Sequence, residues 1–151
     1  MADVHNPEVR SRNMSAIRGK NTKPELHIRR LLHSKGFRFR LNRRDLPGKP
    51  DIVLPRYKAA IMVHGCFWHV HKCAAFHWPA SRTQWWKEKL TSNQKRDLQN
   101  SAALAAQGWR IAVVWECSIK GKYRLSDEEL TSKLTSWLTS GTQRIELRGL
   151  Q

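Results

Sequence analysis

Pro50-Asp51-Ile52-Val53-Leu54-Pro55-Arg56-Tyr57-Lys58-Ala59-Ala60-Ile61-Met62-Val63-His64-Gly65-Cys66-Phe67-Trp68-His69-Val70-His71-Lys72-Cys73 is the stretch on which the fold turns. Residues 51–54 and 59–63 read as two short strands of largely apolar character. The tight connection Pro55-Arg56-Tyr57-Lys58 makes them neighbours. An aspartate opens the first strand and a histidine closes the second, so a carboxylate and an imidazole are expected at one end of the sheet.

Upstream, Thr22-Lys23-Pro24-Glu25 has the form of a capping box with an early proline. Ile28, Leu31 and Leu32 then supply an apolar helical face that ends near Gly36. Phe37-Arg38-Phe39-Arg40-Leu41 alternates with period two, as a half-buried strand does. Downstream, the span from about Arg82 to Gln107 lacks proline and glycine and stops at Gly108, which predicts a long helix. Residues 109–115 then form a buried strand that delivers Cys117 to its end. A last helix starts at Ser126, with Glu129 three residues on and Leu130, Leu134, Trp137 and Leu138 as its buried stripe. The order α-β-β-β-α-β-α describes an α/β protein with a mixed sheet flanked by helices. Nucleases of the restriction-endonuclease-like class share the α-β-β-β-α-β part, a likeness of fold that does not decide function.

The chain has 151 residues, enough for one domain with a substantial core. It carries 28 Lys and Arg against 12 acidic residues, a formal charge of +16, which points to a polyanion. Basic residues are spread along most of the length and no apolar run is long enough to span a membrane, so nucleic acid is the expected partner and a membrane surface the weaker alternative. Residues 1–21 are polar and basic and read as an arm.

Cys66, Cys73 and Cys117 are the whole cysteine supply, and His71 is the best-spaced imidazole beside them. Together they make a closed Cys3His zinc site, which leaves no open position for chemistry; the alternative is three reduced thiols in a core. The odd count argues against a disulfide framework and no signal-peptide pattern opens the chain, so a reducing cytoplasm is expected. Asp51 is either a metal-binding carboxylate or a turn aspartate. As a ligand it would hold magnesium together with a main-chain carbonyl near Val63. His64 and His69 remain as groups that titrate near neutrality, or as a surface pair. A continuous strand would put residues 69, 71 and 73 on one face, so the backbone must turn if His69 is to serve a different site from His71. Glu25 is explained by its capping role, although a carboxylate at a helix start can also reach a water beside the metal. Phe67, Trp68, Trp85 and Trp86 are either core residues or rings that wedge between base pairs.

Asn13-Met14-x-Ala16-Ile17, Leu46-Pro47-Gly48-x-Pro50-Asp51, His64-Gly65-Cys66-Phe67-Trp68-His69-x-His71-x-Cys73, Gly108-Trp109-Arg110 and Val114-Trp115-Glu116-Cys117 together resemble the very short patch repair (Vsr) endonucleases over about residues 1–138. The resemblance implies a restriction-endonuclease-like fold, a DNA-binding arm at 1–21 and a zinc-stabilised endonuclease domain at 22–151. It also implies magnesium-dependent nicking of duplex DNA 5′ of the thymine in a T·G mismatch. Asp51 and the carbonyl of Val63 would hold magnesium, His69 would be the base, and His64 and Glu25 would support it. Zinc falls on Cys66, His71, Cys73 and Cys117. Phe67, Trp68 and Trp86 match the aromatic wedge, Met14 an arm residue on the minor-groove side, and Lys89 and Asn93 the mismatch contacts. The implied protein is a monomer of the bacterial cytoplasm, associated with the nucleoid, with a MutL-type mismatch-repair protein as a further partner. Val63 replaces a threonine common in the family, which a main-chain contact tolerates, and nothing after Trp137 matches. A restriction-like nuclease acting on intact or modified sites and a non-catalytic zinc-stabilised nucleic-acid-binding module are the competing readings.

Overall fold

The computed structural model describes residues 21–150. Helix α1 spans Lys23–Ser34, followed by strands β1 (Arg40–Leu41), β2 (Ile52–Leu54) and β3 (Ala59–His64). Helix α2 (Thr83–Ala106), β4 (Arg110–Trp115), α3 (Asp127–Thr139) and β5 (Arg144–Leu147) complete the order. Among the described residues the strands form one five-stranded sheet in the order β1-β2-β3-β4-β5. The first two pairings are antiparallel, and β3–β4 and β4–β5 are parallel.

Both faces of this sheet are covered, which is why β4 reads as an unbroken apolar run. Ala112 and Val114 face Ile28, Leu32, Leu130, Leu134 and Trp137 of α1 and α3. Ile111, Val113 and Trp115 point the other way, toward Leu104 of α2 and the cysteines. Both α1 and α2 close in the same manner. Gly36 and Gly108 sit at φ 85°, and the next residues, Phe37 and Trp109, donate their N–H groups back to Leu32 and Leu104 at 3.1 Å. This Schellman closure needs a left-handed residue that glycine adopts without steric cost.

Two expectations are corrected. The strand read from Phe37 shrinks to Arg40–Leu41, because Phe37 is consumed by the helix closure and buried beside Tyr57 at a ring separation of 5.6 Å. The segment after Trp137 does not simply end the last helix. It returns as β5, parallel to β4 with Ala112 opposite Ile145, and adds an edge strand absent from the expected order. Its sequence, Arg-Ile-Glu-Leu, carries too little apolar pattern to signal a strand alone. The pairing comes from β4, whose free edge needs a partner.

Arg110 locks this return. Its Nη1 donates to the carbonyls of Trp137 (2.8 Å), Ser140 and Thr142 (both 3.3 Å), and its Nη2 to Leu138 (3.0 Å) and Tyr57 (3.1 Å). The guanidinium lies over the Trp137 ring at 5.1 Å. A fixed positive fork thus satisfies carbonyls at the negative end of α3. Arg110→Ala is expected to cost about 3 kcal/mol, since several carbonyls lose a charged donor. Urea unfolding measures it, and Arg110→Lys should recover less than half, because an ammonium cannot reproduce the fork.

Candidate active site and metal centre

A cleft of about 860 Å³ opens where the end of β3, the start of β2, the start of α1 and the middle of α2 meet. Glu25, Asp51, Val63, His64 and His69 all line it, as do Phe67, Trp68, Lys89 and Asn93. Trp86 stands outside this lining, in contact with Phe67 and Trp68. Met14 and the arm fall outside the described residues.

Asp51 reaches the site because β2 runs antiparallel to β3, so the start of one adjoins the end of the other. Its Oδ2 accepts the Val63 N–H at 2.7 Å. Burial pushes its carboxyl up to about 7, opposed by that N–H and reinforced by the neighbouring Glu25. Glu25 is buried at 3 % exposure and completes only half of the expected capping box. Its N–H donates to Thr22 Oγ1 at 3.4 Å, but its carboxylate turns away, accepting Asn21 N–H and Arg29 Nη2, both at 3.1 Å. Two carboxyl groups therefore share a desolvated floor, with Arg29 ion-paired to Glu25. This is the donor chemistry that takes a hard divalent cation.

His64 and His69 stack face to face, with centroids 3.8 Å apart and planes within 4°. Burial, helped by His69, holds His64 down at about 3, so its ring is neutral at working pH, and its buried Nδ1 has no hydrogen-bond partner among the described residues. His69 Nδ1 pairs with Asp97 Oδ2 at 2.5 Å, and since an ionised carboxylate only accepts, the ring donates to it from Nδ1. Sequence reasoning did not single out Asp97. The signal was there: residues 89, 93 and 97 recur every four along α2, so Asp97 shares a face with Lys89 and Asn93.

The turn required between His69 and His71 is made by Val70, which takes φ 52°, an uncommon conformation for a β-branched residue. His69 thus faces the cleft while His71 faces the cysteines. The ligand atoms of Cys66, His71, Cys73 and Cys117 all lie within 4.8 Å of one another. Cys66 Sγ and Cys117 Sγ stand 3.5 and 3.6 Å from His71 Nδ1. A tetrahedral zinc with ordinary bond lengths separates sulfur from nitrogen by about 3.5 Å, so the donors fit a metal. Burial pushes the Cys66 thiol up and holds the His71 imidazole down, as expected where thiolates need a cation to form and the imidazole stays neutral. Trp115 joins the two sites: it stacks on His71 at 4.0 Å and meets His64 edge-on at 5.4 Å.

The aromatic residues form one cluster, with Phe67 5.2 Å from Trp68 and 5.3 Å from Trp86. Asn93 Nδ2 donates to the Trp68 carbonyl at 3.2 Å, tying this cluster to α2. Arg44, Lys49, Lys89, Arg96 and Lys120 surround the acidic floor with positive charge. No helix among the described residues is long and apolar enough to cross a membrane.

A basic-walled cleft with a carboxylate pair and an oriented imidazole suits phosphodiester cleavage, and the chain's relatives are enzymes of that class. "DNA mismatch endonuclease Vsr" of Escherichia coli is 41% identical over 152 residues, covering 99% of this chain and 97% of that protein. "Type II nicking enzyme V.XorIIP" of Xanthomonas oryzae pv. oryzae is 52% identical over 79% of this chain and 88% of its own length. "Type II nicking enzyme V.NmeAIP" of Neisseria meningitidis is 45% identical over 81% and 87%. The protein is a DNA endonuclease. It belongs to the family described as DNA mismatch endonuclease Vsr, which matches residues 2–75 directly.

Asp51 titration gives a stability test. Its folded pKa lies above the unfolded value, so its contribution is present below about pH 4 and lost as pH rises through about 7. His64 acts oppositely, losing stability as pH falls from about 6.5 toward 3, and masks part of the slope. Comparison with Asp51→Asn isolates the aspartate. With divalent cations withheld, the variant should be more stable than the native chain by about 4 kcal/mol at pH 8 and nearly equal to it at pH 4, read by urea unfolding at both pH values.

Proposed function

We propose that this protein is a mismatch nickase that cuts duplex DNA 5′ of the thymine in a T·G pair, using a restriction-endonuclease-like fold and leaving a 5′-phosphate and a 3′-hydroxyl. The observation that carries this reading is the convergence of Asp51, Glu25, His64 and the His69–Asp97 pair in one cleft beside the half-buried Phe67–Trp68–Trp86 cluster.

Asp51 and the Val63 carbonyl would hold magnesium, which when bound neutralises charge on the phosphate under attack. His69, its Nδ1 proton committed to Asp97, presents Nε2 to take a proton from the attacking water. Asp97 fixes the orientation and stabilises the imidazolium that results. His64, neutral and stacked on His69, limits that ring's motion without adding a competing charge. Glu25 orders water on the floor beside Asp51. Zinc at Cys66, His71, Cys73 and Cys117 braces the loop that carries His69 and the rings and takes no part in cleavage.

Phe67, Trp68 and Trp86 supply the wedge. Unstacking costs a few kcal/mol per step, and less at a mismatch, so a wedge selects damaged duplex by its deformability. Lys89 lies along the cleft wall in reach of the opened strand. Asn93 has one amide hydrogen committed to Trp68, so it couples wedge position to mismatch contact. Met14 and the arm would approach from the minor-groove side, and a MutL-type protein would act with the enzyme in the bacterial cytoplasm, at the nucleoid.

On labelled duplexes in magnesium, a T·G pair should be nicked and the matched duplex left intact. EDTA should abolish the cut. Equal cutting of matched DNA would favour the restriction-like reading. Asp51→Ala should abolish incision while mismatch binding persists in a gel-shift assay. Asp97→Asn should lower the single-turnover rate about 100-fold with little change in binding, because it loses the imidazole's orientation and not the DNA contact.

A further inference from the structure

Residues 148–150, which follow β5, run across the outside of the cysteine cluster. The Gly149 N–H donates to Cys117 Sγ at 3.3 Å. Arg148 Nη2 donates to the carbonyl of Lys72, the residue between His71 and Cys73, at 3.1 Å. Leu150 N–H anchors the end of this crossing on the Tyr123 carbonyl at 2.7 Å. A Cβ at position 149 would lie 2.7 Å from the Cys117 carbonyl oxygen and 2.9 Å from that of Tyr123, so only glycine brings the backbone this close. Just before, Glu146 accepts the Trp115 indole N–H at 2.8 Å, and Trp115 is the ring stacked on His71. Gly149 thus touches a donor atom directly, while Arg148 and Glu146 reach the donor set through Lys72 and Trp115.

We propose that residues 146–150 form an outer clasp of the metal centre, through which the chain's last strand sets how tightly the Cys66–His71–Cys73–Cys117 site holds its ion. This rests on the reading of those residues as a metal site. A hydrogen bond to a thiolate is stronger than one to a thiol, so the Gly149 N–H favours the loaded form of Cys117 over the empty one. A divalent ion with three thiolates leaves net negative charge, which the Arg148 guanidinium faces. Groups that orient metal ligands in this way commonly govern affinity 10- to 100-fold. The clasp also gives β5 a purpose that its weak strand pattern does not reveal.

The test uses the full chain purified without chelator. Metal content is measured by atomic absorption, and release is timed by transfer to a chromogenic zinc chelator. Arg148→Ala changes an exposed side chain and Gly149→Ala forces the backbone away from Cys117. Both variants should release zinc about tenfold faster than the native chain with unchanged far-ultraviolet circular dichroism. In cobalt-reconstituted protein, Gly149→Ala should also shift the thiolate-to-metal charge-transfer band, a signature that a loss of packing alone would not produce. Native release rates and native spectra in both variants would overturn the clasp. A native chain without bound zinc would instead overturn the metal reading itself, and the clasp with it.

Discussion

Both sites hang on the parallel pairing of β3 with β4, in the register that sets Val63 beside Val114 and His64 beside Trp115. Side chains alternate across a strand, so a slip of one residue would move Trp115 to the opposite face and part it from both His64 and His71. The register also ends both strands together. The chain therefore leaves β3 through Gly65 and Cys66 at the level where β4 hands over to Glu116 and Cys117. One pairing brings together the thiols on the α2 face and, at the same end, the cleft with its carboxylates.

The few residues between His64 and Cys73 then have to serve two chemistries of opposite character. His69 meets the Asp97 carboxylate in the cleft, whereas His71 meets sulfur in a buried pocket. Val70 separates them through a left-handed backbone that its side chain disfavours, at a cost of about 1–2 kcal/mol. The His71 N–H to Cys66 carbonyl bond at 3.0 Å closes the turn and helps hold it. A metal bound at the cysteines would pin the same turn from the other side, so bracing the scaffold and aiming His69 would be one structural act.

Electrostatics divide the protein in a related way. The chain as a whole is at +16, yet its two functional centres are crowded with groups that become anionic. Asp51 and Glu25 share a buried floor, and three thiols share a pocket. Burial raises the pKa of Asp51 in the first and of Cys66 in the second, and a bound cation would offset that cost at either place. The surrounding lysines and arginines attract the phosphate backbone. A polyanion drawn to the rim thus meets an acidic floor, a conflict of charge that a bound cation would relieve.

Much of this was legible in the chain. Helix closures at Gly36 and Gly108, the strands after Asp51 and Lys58, and the cysteine–histidine set all rest on local chemistry: left-handed glycine, apolar runs and ligand type. Asp97 was equally local in its spacing, but its meaning depends on His69, 28 residues away in the chain and hydrogen-bonded to it only in the fold. The turn at Val70, the diversion of Glu25 from Thr22 to Asn21 and Arg29, and β5 with its reach to Cys117 were decided by tertiary structure alone. The reason is the same in each case. A residue's type states which bond it can make, and a local pattern states where the backbone bends. Which partner it meets depends on a strand register and a free sheet edge that exist only once distant segments have packed.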